Sequence, residues 1–226
     1  MTTELKKRIL TSIVLFVASI FIILVHKLVF ILVLIAVLFI CFDEWKNINN
    51  KYFNQKKKNN WKYLIIQYAG LAYLFIFIGT SIALRGNDFK SIIFFIIILC
   101  ICICSDIGGY IFGKTIGGKK LTKISPNKTI AGSIGSLIFS IMPILLFNLQ
   151  NYIEASYEVL SINIALCLIV SLVCQLGDLL ISYFKRLNKV KDTGTILPGH
   201  GGLLDRIDGI IFAIPTVYIL KITQIF

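Results

Sequence analysis

Residues 89–112 read FKSIIFFIIILCICICSDIGGYIF, and this stretch decides what kind of protein the chain is. Between Lys90 and Asp106 there is no charge, no proline and no glycine. A helix needs roughly 20 apolar residues to cross the hydrocarbon core of a bilayer, and in lipid every backbone polar group must be paired within its own element. The stretch therefore predicts a membrane-spanning α-helix. Working outward, six further apolar segments follow: Ile9–Val25, Leu28–Phe42, Tyr63–Leu84, Ile130–Leu149, Ile162–Ile181 and Ile207–Ile225. The first two are short and separated only by His26 and Lys27. They read as a thin or tilted hairpin, with one long bent element as the alternative. The expectation is an all-α, polytopic integral membrane protein with about seven transmembrane helices. The first run lacks a small-residue cleavage site and leads straight into another, so no signal peptide is expected.

Composition agrees. The chain is 57% hydrophobic and only 15% charged, with a mean hydropathy of +0.86, against about 45–50% apolar and 25% charged for soluble domains. The loops are too short to hold a soluble domain.

Charge then orients the chain. With the N-terminus placed in the cytoplasm, the inner segments hold 19 of the 23 basic residues, and only Lys27, Arg85, Lys90 and Lys221 fall elsewhere. That asymmetry is what the positive-inside rule predicts. The net charge of +12 follows from topology and from attraction to anionic headgroups. Nucleic acid is not an expected partner, because no basic stripe interleaved with aromatics lies outside the membrane. The six cysteines all lie within or at the ends of apolar runs and none forms a Cys-x-x-Cys pair; they read as packing residues.

The inner segments differ in content. The first, Asp43–Lys62, is rich in Lys and Asn, and Trp45 and Trp61 at its ends read as interfacial anchors. In the second, Asp106 interrupts an apolar run near the inner surface, where an ionised carboxylate is costly and a functional role is the default reading. Ser125-Pro126-Asn127-Lys128-Thr129 offers hydroxyls and an amine around a proline-set turn, which suits an anionic phosphate at a helix start and equally an ordinary N-cap. Gly132 and Ser136, four apart, mark a close helix–helix contact.

The third inner segment carries the most chemistry. Asp178 ends one apolar run, and Ser182, Lys185, Arg186, Lys191 and Asp192 follow. Then come Pro198-Gly199-His200-Gly201-Gly202 and Asp205-Arg206-Ile207-Asp208. Asp205 and Asp208 share one face of a helix beginning near Leu203. Clustered carboxylates suit a hard divalent cation, which takes oxygen ligands and substrate phosphates. The neighbouring Lys and Arg suit phosphate oxygens, and the glycines of the bend allow a ligand to approach the backbone. A solvated, self-neutralising loop explains the basic residues but not the aspartates and the Pro-Gly-His-Gly-Gly bend together.

Here the chain resembles the phosphatidate cytidylyltransferase family. The resemblance runs from Ser182 through Lys185-Arg186, Lys191-Asp192, Pro198 and His200-Gly201-Gly202 to Asp205-Arg206 and Asp208, and extends to Gly177-Asp178 and the Ser125–Thr129 element. The Glu-Gly that commonly follows the family's Lys-Thr is Ala131-Gly132 here, so no acid acts at position 131. The resemblance implies transfer of the cytidylyl group of CTP to phosphatidate, giving CDP-diacylglycerol and pyrophosphate in phospholipid synthesis. It implies catalytic roles for Asp178, Asp205, Asp208, Lys185, Arg186 and His200, the last orienting a phosphate, acting as an acid or serving structure. Substrate contacts fall to Ser125, Lys128, Thr129, Ser182, Lys191, Arg206, Gly201 and Gly202. Metal ligation falls to Asp178, Asp205 and Asp208, with Asp106 as a further candidate. Magnesium, with manganese as the alternative and more than one cation, is the implied cofactor. CTP, phosphatidate and the bilayer are the implied partners, with a homodimer left open. The expected location is a bacterial-type inner membrane with the site facing the cytoplasm. Residues 1–104 supply N-terminal transmembrane helices and 105–226 the catalytic part, within effectively one membrane domain. Alternatives are a cytidylyltransferase for another lipid phosphate and, from a different class, a membrane transporter, against which the absence of an internal repeat speaks.

Overall fold

Among the described residues every regular element is an α-helix, with an isolated antiparallel bridge between Lys120 and Thr129. The computed structural model describes residue 14 and residues 16–56, 60–122, 124–150, 157–196 and 201–223. Side chains are described at residue 14 and over residues 16–50, 61–122, 124–146, 164–196 and 201–223. The helices are α1 (residues 16–24), α2 (Lys27–Lys56), α3 (Asn60–Arg85), α4 (Phe89–Thr115), α5 (Ile130–Ser140), α6 (Met142–Gln150), α7 (Tyr157–Leu187), α8 (Leu204–Ile207) and α9 (Ile210–Ile222). They fall into two compact units. The first comprises Met1–Ile92 with Phe184–Asp208, and the second Ile93–Tyr183 with Gly209–Phe226.

In the first unit, α2 is apolar on both sides, as a helix in lipid must be. Phe30, Leu34, Leu38, Cys41, Trp45 and Ile48 recur at helical spacing and are buried, whereas Leu28, Leu32, Ile35 and Phe39 face outward. Helices α2 and α3 pack antiparallel. Trp45 Nε1 donates to the Ile66 carbonyl at 3.3 Å, and the Tyr63 hydroxyl donates to Asn50. Gly70 makes room for the indole, since a Cβ there would stand 2.2 Å from Trp45 Nε1. Arg85 is buried at the end of α3 and donates to the Ile23 carbonyl from Nε at 3.1 Å and Nη2 at 2.8 Å, with Nη2 also reaching the Val25 carbonyl. These carbonyls end α1, where four C=O groups have no helical partner and the helix dipole favours a cation.

In the second unit, α4 and α5 approach closely through small residues. A Cβ on Gly108 would lie 2.4 Å from the Gly135 carbonyl oxygen, and one on Gly132 would lie 2.8 Å from that of Gly109. Small residues permit such approach in a bilayer, where apolar burial between helices supplies no drive. The Gly132–Ser136 spacing predicts this contact, and the structure contains it. A polar string continues the packing: the Ser105 and Ser171 hydroxyls lie 2.8 Å apart, Gln175 Nε2 donates to Ser171 Oγ at 3.3 Å, and Ser133 Oγ donates to Gln175. All six cysteines are free thiols.

The chain is an all-α polytopic membrane protein, but the helices and the apolar segments have different ends. Among the described residues four helices are long and apolar enough to cross a bilayer, Lys27–Asn50, Trp61–Arg85, Phe89–Thr115 and Ile164–Leu187, and Ile130–Leu146 and Ile210–Ile222 are shorter apolar helical stretches. The apolar segment Ile130–Leu149 is broken near Ile141, because Pro143 in the first turn of α6 has no N–H to continue the ladder of α5. The described residues of the inner segment Asp43–Lys62 are helical: α2 continues through Asp43, Glu44 and Trp45 to Lys56, and α3 begins at Asn60. Hydropathy marks where the bilayer ends, whereas Lys, Glu and Gln continue a helix readily. Trp45 is accordingly a buried packing residue, edge-on to Phe184 at 4.9 Å, rather than an interfacial anchor; Trp61 is exposed.

Candidate functional site

The second unit holds a cavity of about 310 Å³. Its walls come from α4 through Asp106, Gly109 and Tyr110, from α7 through Gln175 and Asp178, and from α5 and the loop before it. That loop is pinched shut: Leu121 N donates to the Lys128 carbonyl at 2.8 Å, and Ile130 N to that of Lys119 at 3.0 Å. Its tip is a turn in which Lys128 N donates to the Ser125 carbonyl at 3.1 Å, with Pro126 at the position whose φ proline presets. The loop ends on Thr129, whose Oγ1 accepts from Gly132 N at 3.0 Å and caps α5. So Ser125–Thr129 is both the N-cap and the cavity rim. The hydroxyl hydrogen of Thr129 is left to donate.

Lys128 and Asp178 form an ion pair on the cavity wall, with side chains 27% and 31% exposed, and the Ser182 hydroxyl donates to the other Asp178 oxygen at 3.2 Å. Asp106 is exposed to the cavity while its neighbour Ser105 is buried. The cavity thus presents oxygen donors, one ammonium group and a helix N-terminus. A hard cation accepts such oxygens, and an anion is favoured by the helix start and the lysine.

The first unit holds Lys185, Arg186, Lys191, Asp192, Gly201, Gly202, Asp205, Arg206 and Asp208 of the signature. Asp205 Oδ1 accepts from Lys185 Nζ at 2.8 Å, and Oδ2 accepts from Thr193 N at 2.7 Å and Gly202 N at 3.2 Å. Three of the roughly four acceptor positions of this carboxylate are occupied, and its side chain is only 7% exposed. Leu203 and Asp208 both have right-handed helical dihedrals, so Asp205 and Asp208 fall one turn apart on the same side, as their spacing predicts. Arg186, Lys191 and Arg206 are exposed. Pro198, Gly199 and His200 lie outside the described residues.

Glu44 is the residue that motif reading passes over. It is buried on α2, and its carboxylate accepts from Thr193 Oγ1 at 2.8 Å and from Leu203 N and Leu204 N, both at 2.9 Å. The last two are N–H groups at the start of α8, which has no side-chain cap of its own. The two signature glycines serve this arrangement. Gly201 has φ +84°, and a Cβ on Gly202 would stand 2.0 Å from Thr193 Oγ1 and 2.5 Å from Glu44 Oε2. Glu44 was detectable in the sequence: continuing the buried face of α2 beyond Phe42 at helical spacing puts Glu44 beside Cys41 and Ile48.

In either unit, among the described residues, no three His, Cys, Asp or Glu side chains gather as a self-sufficient metal group. Magnesium typically takes only one or two protein carboxylates and completes its shell with water and phosphate. Asp178 fits that use, being partly exposed and surrounded by oxygen donors; Asp205 is committed to protein donors.

Residues 51–223 match the model of the cytidylyltransferase family. Among curated proteins, the chain is 40% identical over 159 residues to the phosphatidate cytidylyltransferase of Staphylococcus saprophyticus, and 39% over 163 residues to that of Staphylococcus haemolyticus. It is 41% identical over 162 residues to that of Staphylococcus epidermidis. In each case the match covers 70% of this chain and 56% of the relative, so the chain spans little more than half the length of the curated relatives it matches. Glu44 precedes the stretch matched by the family model.

Proposed function

Because this chain belongs to the cytidylyltransferase family, we propose that it transfers the cytidylyl group of CTP to phosphatidate, yielding CDP-diacylglycerol and pyrophosphate. One observation carries the reading beyond family membership: the Lys128–Asp178 pair in an oxygen-lined cavity at the start of α5. Each partner has an obvious exchange. A substrate phosphate takes the ammonium of Lys128, and a divalent cation takes the carboxylate of Asp178.

In the reaction a phosphate oxygen of phosphatidate attacks the α-phosphorus of CTP. The bond from that phosphorus to the oxygen bridging to the β-phosphate breaks, and pyrophosphate leaves. Two polyanions must meet, so positioning and charge neutralisation dominate the barrier, as in phosphoryl transfer generally. Lys128, the Ser125 and Thr129 hydroxyls and the N-terminus of α5 bind phosphate oxygens. Ser182 orients Asp178 through its hydrogen bond. Lys185 is held in a pair with Asp205, and the exposed Arg186, Lys191 and Arg206 supply positive charge in the signature segment. In the second unit Asp178 would hold magnesium with Asp106 as a second oxygen donor, in the first Asp208 is a candidate ligand, and a bound cation would neutralise phosphate charge. The basic bias of the inner segments supports a cytoplasmic site in a bacterial inner membrane.

The test is direct. The purified chain, incubated with labelled CTP and phosphatidate in magnesium, should form a lipid-soluble CDP product and release pyrophosphate, and chelator should abolish both. A lipid panel identifies the acceptor. No lipid-linked product with any phosphorylated lipid would refute the assignment.

A further inference from the structure

We propose that Glu44 is a positioning residue for the signature segment: its buried carboxylate on α2 holds the chain at Thr193 and at Leu203–Leu204 in the conformation that presents Asp205 and Lys185. The proposal rests on the cytidylyl-transfer reading for its catalytic consequence, and on geometry alone for the positioning itself.

Glu44 is 3% exposed and the three donors to its carboxylate are all neutral: one hydroxyl and two peptide N–H groups. Burying a charge is costly unless it is fully hydrogen-bonded, and α2 gains nothing for its own backbone from a carboxylate at this position. The segment is moulded to it. A Cβ on Gly194 would lie 2.5 Å from Glu44 Oε1, and one on Gly202 would lie 2.5 Å from Oε2, so the chain passes close on both sides of the carboxylate only because both residues are glycine. Thr193 couples the two acids. Its hydroxyl donates to Glu44 and its backbone N–H donates to Asp205. Losing the hold on Thr193 therefore displaces a donor of Asp205, which in turn orients Lys185.

The experiment uses the full chain in lipid nanodiscs, with hydrogen exchange read by mass spectrometry alongside CDP-lipid formation per folded molecule. Glu44→Gln has the same shape but turns an amide donor toward peptide donors. It should speed exchange across residues 202–205 by about 10- to 100-fold, the loss expected for charge-assisted hydrogen bonds. Exchange in α3 and α9 should stay unchanged, and turnover should fall at least about 10-fold. Glu44→Asp should recover part of both. Thr193→Val removes only the hydroxyl donor and should produce a weaker, local version, which keeps the idea testable if Glu44→Gln does not fold. Wild-type protection at 202–205 in both variants would overturn the proposal. So would a uniform rise in exchange through α3 and α9, which would assign Glu44 to global stability. A wild-type chain that forms no CDP-lipid refutes the proposed reaction, while the exchange data still decide the role of Glu44.

Discussion

Lys185, near the end of α7, donates to Asp205 of the one-turn helix α8 at 2.8 Å, with side chains only 11% and 7% exposed. Removing one member of a buried pair strands the other, at a cost of about 3 kcal/mol. Lys185→Met and Asp205→Asn should each lower stability by about that amount, and the double variant by clearly less than their sum. Thermal unfolding of the four proteins measures the coupling. Strictly additive losses would mean that the two side chains do not depend on each other.

The Lys128–Asp178 pair behaves differently because its side chains are 27% and 31% exposed. Solvent screens it, so Lys128→Ala and Asp178→Asn should each change stability by no more than about 1 kcal/mol. Both should nevertheless reduce CDP-lipid formation by about 100-fold or more, the scale seen when a preorganised charge is removed from a transfer site. Steady-state turnover and melting on the same preparations separate the effects. Full turnover with a sharply lower melting temperature would assign the pair to the fold.

Two glycines should respond in opposite directions to the same substitution. Gly108→Ala drives a methyl group to within 2.4 Å of the Gly135 carbonyl oxygen and should destabilise the chain by about 1–3 kcal/mol. Gly79, inside α3, has nothing within 4 Å of its ideal Cβ, so Gly79→Ala should stabilise by up to about 1 kcal/mol. Equal effects in thermal unfolding would contradict the close α4–α5 crossing.

Topology is open to labelling. Thr195 is exposed in the signature segment, so Thr195→Cys, in a chain whose six native cysteines are replaced, should react with a membrane-impermeant maleimide only from the cytoplasmic side. The positive-inside asymmetry predicts this. Reaction from outside in intact cells would invert the orientation.

Much of this protein is legible in one dimension. Apolar runs of span length have a single stable solution in lipid, so Phe89–Thr115 and the other long helices follow from hydropathy. Ser125–Thr129 could be recognised because a proline turn followed by a hydroxyl cap is local chemistry, and the spacing of Gly132 and Ser136 implied a close neighbour. Helix ends were less legible. Hydropathy falls at Phe42 although α2 runs to Lys56, and Trp45 looked interfacial because its burial depends on Phe184, Ile66 and Gly70.

The apolar stretch quoted at the outset and the other long apolar runs determined by themselves that this is a helical membrane protein, and the signature from Ser182 to Asp208 marked the residues proposed to carry its chemistry. The fold was legible because lipid leaves few backbone options, and the proposed site because phosphate and metal chemistry favour particular side chains. Only the tertiary structure assigned those side chains their partners. Asp178 is held by a lysine 50 positions away, and Asp205 is closed off by Lys185 and two peptide groups. The segment around it is gripped by Glu44, from a helix about 150 residues earlier. Hydrogen-bond partnership across such separations depends on which helix faces meet, and no local pattern encodes that.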